Sequence, residues 1–211
     1  MNVHCLVVGP FEVNCWIAWR DPASALVLDP GDDADRIAAY LAEHDLAPCA
    51  YLLTHGHVDH ISALASLHRR FPAPVALHGS DLEWAFDPGN GMLPFYSPPE
   101  APARVERVLA DGQEWTDGGL TYRVLATPGH TPGSVSLHFR DEQALFTGDT
   151  LFAGSAGRTD LVGGNAADLR DSLARLSALP PATTIYPGHG PMTRLDHEKR
   201  TNDFLQKEFA A

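Results

Sequence analysis

The chain reads as an α/β protein of the α+β kind, a two-sheet sandwich with helices on its outer faces. Three observations predict this. Short runs of apolar or alternating residues recur from Val3 to Tyr186, and such runs mark strands. Residues 32–44 and 166–179 instead carry apolar side chains at helical spacing. The order is strands, helix, strand, helix, and then the same again, so each β-rich half has helices to lay outside. With 211 residues, 44% of them hydrophobic, the chain can bury a sizeable core, and it is read as one domain over 1–211.

Val3–Val8 is a first strand, stopped by Gly9-Pro10. Asn14–Trp19 and Ala25–Asp29 follow around a turn at Arg20-Asp21-Pro22, and Asp29-Pro30-Gly31 ends the third strand. Asp32–His44 is a helix, with Ile37, Ala38, Leu41 and Ala42 on one face and acids near its start, where the dipole favours them. Ala50–Leu53 is a short buried strand, and Ile61–Arg70 carries Ile61, Leu64, Ala65 and Leu67 at helical spacing. Pro74–His78 is a strand and Asp81–Phe86 a helical turn. Repeated Pro and Gly between Asp87 and Arg104 leave little room for regular structure. The apolar middle of that loop, Met92, Phe95 and Tyr96, is either part of a substrate wall or a pin to the core. Strands resume at Val105–Leu109, Leu120–Ala126, Ser134–Arg140 and Ala144–Thr147, with a turn at Asp111-Gly112. Ala166–Leu179 is an amphipathic helix with Leu169, Leu173 and Leu176 on one stripe. Thr183–Tyr186 is a last strand and Glu198–Phe209 a terminal helix. The run 25–29 echoes 144–149 weakly between the halves.

The chemistry gathers on the turn Thr54-His55-Gly56-His57-Val58-Asp59-His60, between a buried strand and a helix. In an extended turn, residues two apart point the same way, so His55 and His57 can face one ion. Asp59 and His60 enter the first helical turn and suit a second. Imidazole nitrogen and carboxylate oxygen are usual zinc ligands, at roughly 2.0–2.2 Å. Other strand ends supply matching candidates. His130 lies in Thr127-Pro128-Gly129-His130-Thr131-Pro132-Gly133-Ser134, Asp149 follows Thr147-Gly148, and His189 lies in Tyr186-Pro187-Gly188-His189-Gly190-Pro191. Each follows a buried strand, and small or rigid neighbours fix the backbone around it. Any one of these turns has a plain structural explanation; four together point to a shared site.

The pattern His55-x-His57-x-Asp59-His60, then His130, Asp149 and His189, resembles the metallo-β-lactamase superfamily nearly end to end. Within it the chain is similar to single-domain glyoxalase II-like hydrolases, through 127–134, Gly148–Phe152, Gly157-Arg158-Thr159-Asp160 and 187–191. The ending 198–205 also resembles that group, with Asp203 where a proline is common. The resemblance implies a four-layer αββα sandwich, two mixed β-sheets packed face to face with helices outside. It implies two divalent cations, zinc first, with iron or manganese accepted by the same donors. His55, His57 and His130 would hold one, Asp59, His60 and His189 the other, and Asp149 would bridge them. A hydroxide bridging the ions would attack a thioester, with Asp59 and Asp149 as catalytic carboxylates and no Ser or Cys nucleophile. The implied substrate is a hydroxyacylglutathione or related acyl thioester. Arg158 would meet its thiol side, or would instead pair with Asp160. Two departures bear on glutathione: Asp160 stands where full-length relatives have an aromatic, and Gly190-Pro191 replaces another.

Three rivals share the resemblance. A persulfide dioxygenase would hold one iron through His55, His130 and Asp149. A lactonase or β-lactamase would use the same metals on a ring. A non-catalytic interaction module would leave the ligands idle. Composition excludes more: Lys plus Arg is 15 against 27 acids, a net charge of −12, which argues against nucleic acid. No apolar run reaches the ~20 residues of a membrane helix, and no signal peptide opens the chain, so the cytoplasm is expected. Oligomeric state cannot be read. Cys5, Cys15 and Cys49 are odd in number and read as small buried hydrophobes. His4, His44, His68, His78, His138 and His197 read as surface or packing residues, and Trp16, Trp19, Trp84 and Trp115 as core.

Overall fold

A computed structural model describes residues 1–206. The elements in chain order begin with strands β1 (Asn2–Val8), β2 (Val13–Trp19) and β3 (Ala25–Leu28), then helix α1 (Ala34–Glu43). Next come β4 (Pro48–Leu52), α2 (Val58–Ile61), α3 (Leu64–Arg70), β5 (Val75–His78), α4 (Gly79–Leu82) and β6 (Arg107–Leu109). The second half holds β7 (Glu114–Asp117), β8 (Leu120–Ala126), β9 (Val135–Phe139), β10 (Ala144–Gly148), β11 (Leu151–Phe152) and β12 (Ser155–Ala156). It closes with α5 (Ala166–Ser177), β13 (Thr184–Pro187), β14 (Thr193–Arg194) and α6 (Leu195–Thr201).

Two six-stranded mixed sheets result, ordered β1-β2-β3-β4-β5-β6 and β14-β13-β10-β9-β8-β7. In the first, β3 through β6 run parallel; in the second, β10 and β13 are the parallel pair. Strand parity sorts the side chains into three cores. Val27, Tyr51, Leu53, Val75 and Leu77 pack outward on Ile37, Leu41, Leu64 and Leu67 of the helical layer. Leu26, Leu28, Ala50, Leu52, Tyr122, Val124, Leu137, Phe139 and Phe146 fill the space between the sheets. Leu145 and Ile185 face the other way, onto Leu169, Leu173, Leu176 and Leu195. The layers therefore run α, β, β, α, the sandwich expected from the order of elements. No described helix is long and apolar enough to cross a membrane.

Three boundaries differ from expectation. The helix predicted over 61–70 is split into α2 and α3, because the Ala63 N–H donates to the Pro30 carbonyl at 3.0 Å instead of continuing the helical ladder. Asp59 and His60 thereby gain a short helix of their own. The terminal helix starts at Leu195 and stops at Thr201, instead of starting at Glu198 and running on toward Phe209. Its buried Glu198 accepts from the Gly154 N–H and the Thr193 hydroxyl, and the Asn202 amide donates to Glu198 and to the Phe152 and Ser155 carbonyls. That network turns the chain inward at Asn202; residues 207–209 of the expected helix lie outside the described residues. Strands β7, β11, β12 and β14 were not expected. The first has exposed Glu114 and Thr116 on one face and, on the other, Trp115 packed against the core between the sheets beside half-buried Asp117; the others are two residues long.

Candidate dinuclear metal centre

Every expected donor lies just past the carboxyl end of a strand or in the turn it feeds. His55 and His57 follow β4, Asp59 and His60 are in α2, His130 follows β8, Asp149 follows β10 and His189 follows β13. The fold brings all seven together at one end of the sandwich. His57 Nδ1 lies 2.9 Å from His130 Nε2, and His60 Nε2 lies 3.3 Å from His189 Nε2. Asp149 stands between the two groups. Its Oδ1 is 3.4 Å from His60 Nε2, and its Oδ2 is 3.5 Å from both His130 Nε2 and His189 Nε2. Asp59 Oδ2 is 3.6 Å from His189 Nε2. The trios His55/His57/His130 and Asp59/His60/His189 each offer donor atoms within 4.8 Å of one another.

Ring orientation is set from behind. His60 Nδ1 donates to Asp29, His130 Nδ1 to the Arg158 carbonyl and His189 Nδ1 to the Phe11 carbonyl, at 3.1, 2.8 and 3.0 Å. These acceptors need a proton on Nδ1, which turns each Nε2 toward the centre as the atom that would bind a cation. His55 Nδ1 is 3.1 Å from the Thr54 hydroxyl, which itself donates to Asp29 at 2.6 Å. Two buried polar atoms of the cluster, His55 Nε2 and Asp149 Oδ1, have no hydrogen-bond partner. Buried polar atoms are nearly always satisfied, and imidazole and carboxylate are the donors divalent cations take. The residues present therefore fit a two-cation site.

The electrostatics divide the cluster the same way. Burial drives His55 well below the ordinary imidazole range, with His60 and His57 adding to the effect. Burial, then His130, pushes His57 down to about 4. Burial would also lower His60, but Asp149, Asp59 and Asp29 outweigh it and raise the group to about 9. His189 rises against burial to about 10, through Asp149 and Asp59. Burial would raise Asp149 and Asp59, yet the flanking imidazoles hold both below the usual carboxylate range. His55 and His57 thus offer neutral imidazole, and His60 and His189 hold protons that a cation must displace.

Comparison with known proteins fixes the lineage. Residues 8–189 match the family model of the metallo-beta-lactamase superfamily. The chain belongs to that superfamily. It is 39% identical to a probable metallo-hydrolase, YqgX, of Bacillus subtilis (strain 168), covering 97% of this chain and 98% of that protein. It is 33% identical to the hydroxyacylglutathione hydrolase GloC of Haemophilus influenzae, covering 99% and 100%. Among solved structures it resembles BLEG-1 B3 metallo-beta-lactamase, with a TM-score of 0.91 at 37% identity over 97% of this chain and 100% of that one. TTHA1623 in a di-iron-bound form gives 0.88 at 37% over 96% and 100%. The chain is a metallo-hydrolase superfamily member with the sandwich its sequence predicts.

Several site residues escaped sequence reading. Asp29, at a left-handed φ of 48°, accepts from the Thr54 N–H and hydroxyl as well as from His60. An acid closing an apolar strand before Pro-Gly was the available signal, and the echo between 25–29 and 144–149 pointed at it. Asp81, fully buried, accepts from the Gly56 N–H, the Thr131 hydroxyl and the Gly133 N–H at 2.9, 2.7 and 2.7 Å. It ties the His55–His57 turn to the His130 turn. A Cβ at Gly133 would come within 2.6 Å of that carboxylate, so only glycine fits. The Asn14 amide donates to the Pro187 and Gly190 carbonyls and holds the His189 turn. Trp84, expected in the core, instead stands against His57 with ring centroids 5.5 Å apart and faces an open cavity; Trp16 is buried as expected.

A cavity of about 500 Å³ opens directly onto the donors, walled by Phe11, Met92, Phe152 and Leu161 with Arg158 at its edge. Arg158 is exposed, and its guanidinium is forked onto Asp160 at 2.7 Å on both arms. The pairing weighed from sequence is therefore present, while the main chain of Arg158 serves the site by holding His130. The loop over 87–104 contributes Met92 to the cavity, while Phe95 and Tyr96 pack on Phe11. Met92 thus lines the cavity, and Phe95 and Tyr96 pin the loop. Cys5, Cys15 and Cys49 form no disulfide, Cys5 donates to the Asn14 side chain, and burial raises each thiol. Such thiols are poor nucleophiles.

Proposed function

We propose that this chain is a metal-dependent thioester hydrolase of the glyoxalase II type. The observation that carries the reading is the orphaned pair His55 Nε2 and Asp149 Oδ1, buried within two donor trios beneath an open cavity. His55, His57 and His130 would hold one cation and Asp59, His60 and His189 the other, with Asp149 facing both. When bound, two divalent cations supply an acidified water and polarise an acyl carbonyl. The chain's own groups do the rest. Asp59 and Asp149, ionised by their imidazole neighbours, can accept a hydrogen bond from the attacking water. Asp29, Thr54, Phe11 and Arg158 fix the imidazole orientation through the contacts above. Phe11, Met92 and Phe152 exclude bulk water from one side.

The likeness to GloC supports a thioester substrate, and glutathione thioesters of hydroxy acids are the first to test. The likeness to BLEG-1 makes β-lactam opening the second reading. Loading the purified protein with zinc, iron or manganese and assaying thioester, β-lactam, lactone and persulfide substrates decides between them. Thioester cleavage with a high kcat/KM is expected. A protein that binds two cations and cleaves only a β-lactam overturns the reading.

A further inference from the structure

A second cavity, of about 660 Å³, adjoins the first, and His57, Met92 and Leu161 line both. Its size falls within the roughly 300–1,000 Å³ of small-molecule sites. The walls are apolar, with Trp84, Met92, Pro132, Leu161 and Val162 facing the space. Val162 is 96% exposed and Met92 41% exposed, so the apolar surface continues to the mouth. Beside Val162, Gly163 has a φ of +83°, and a Cβ there would come within 2.9 Å of Pro132 Cδ, so the turn lies close against the Pro132 wall. The Asn90 amide donates to the Gly56 carbonyl at 2.7 Å, which fixes the opposite wall to the turn bearing His55 and His57.

Charge narrows what can enter. Apart from His57, the ionisable residues on this wall are Glu83 and Asp87, both acids, with no Lys or Arg among the described lining residues. At the neighbouring cavity Arg158 is already matched by Asp160. An acyl group bearing a carboxylate would meet Glu83 and Asp87 here, with no Lys or Arg on this wall to offset them. An uncharged apolar group would meet indole, thioether and branched aliphatic surface continuous with the reacting centre.

We propose that this cavity is the acyl-group site, and that the preferred substrate is a thioester of a bulky, uncharged acyl group rather than a small or anionic one. The proposal rests on the thioester reading above. Its selectivity follows from burial, since each added methylene in an apolar pocket favours the larger substrate several-fold.

The test uses metal-loaded protein and one neutral thiol, N-acetylcysteamine, esterified with acetyl, hexanoyl, phenylacetyl and succinyl groups. We expect kcat/KM to rise at least tenfold from acetyl to hexanoyl or phenylacetyl, and succinyl to fall below acetyl. Val162→Arg, at an exposed position, should erode the apolar preference and improve succinyl. Binding is read separately with the uncleavable S-hexyl thioether, through quenching of tryptophan fluorescence that Trp84→Phe abolishes. Cleavage with a flat acyl series, or with succinyl preferred, overturns the acyl site and leaves the thioester reading intact. Binding of the thioether at Trp84 without cleavage of any thioester overturns the thioester reading and supports the apolar site. Neither binding nor cleavage overturns both.

Discussion

Asp81 is a sharp test of how the donors are held, because it touches none of them. Asp81→Ala deprives the Gly56 and Gly133 N–H groups and the Thr131 hydroxyl of their acceptor at once. Thr131 keeps a partner in Ser134, whose hydroxyl is 2.8 Å away. The two backbone donors are left buried and unpaired, at roughly 1–3 kcal/mol each. Some of that loss is offset, because burial raises the Asp81 carboxyl above its ordinary range even against its three donors. A net loss of about 3 kcal/mol should lower Tm by roughly 6–12 °C in a chain of this size. The local effect should be lopsided. The tie between the His55–His57 turn and the His130 turn is cut, so the cation at that trio should weaken by roughly 10–100-fold, the usual cost of losing an orienting partner. The cation at Asp59, His60 and His189 should be nearly unaffected. Calorimetric titration of wild type and variant with zinc, together with thermal scans of both, reads the two effects. An unchanged Tm with two undisturbed binding steps would refute the reasoning.

Five further outcomes are expected. Asp149→Asn should remove most bound metal and nearly all turnover, since the charge facing both trios is lost; an Asn variant with full metal content and normal kcat would refute that role. Metal loading near pH 8 should release protons, because His60 and His189, raised to about 9 and about 10, carry them in the metal-free chain. For the same reason the stability these two groups give the metal-free chain is complete below the unfolded value near 6.5 and is lost as pH rises through about 9 to 10; denaturant titrations across that range that show no loss would contradict the assignment. Arg158→Ala should leave metal content, kcat and KM for a neutral thioester nearly unchanged, because the guanidinium is forked onto Asp160 and the carbonyl still holds His130; a KM raised several-fold would show that the guanidinium reaches substrate. Asp117→Ala should cost about 2–3 kcal/mol, read by chemical denaturation, because it strands the mostly buried Arg107 that links the open edges of the two sheets; a change under about 0.5 kcal/mol would contradict it.

The donors were legible in the sequence because each obeys a local rule. An apolar strand ends, small or rigid residues follow, and metal-binding side chains stand among them, four after β4 and one after each of β8, β10 and β13. The layer order was legible because strand parity and helical spacing are local too. What escaped depends on distance along the chain. Asp81 acts on Gly56, 25 residues earlier, and on Thr131, 50 residues later. No spacing within a short window can reveal such a tie. Trp84 was assigned to the core by residue type, yet the loop around it leaves one side of the ring facing a cavity. Strand β7 was missed because Trp115 is its one apolar residue, too few to show an alternation. The end of α6 was missed because the polar network of Glu198 and Asn202, rather than a helix breaker, turns the chain.

The central claim is that seven side chains from four strand ends hold two cations. Anomalous diffraction from crystals of the metal-loaded protein tests it most directly. Two peaks are expected, each roughly 2.0–2.2 Å from the donor atoms of one trio, with Asp149 reaching both. A single peak held by His55, His130 and Asp149, or metal bound away from these residues, would contradict it.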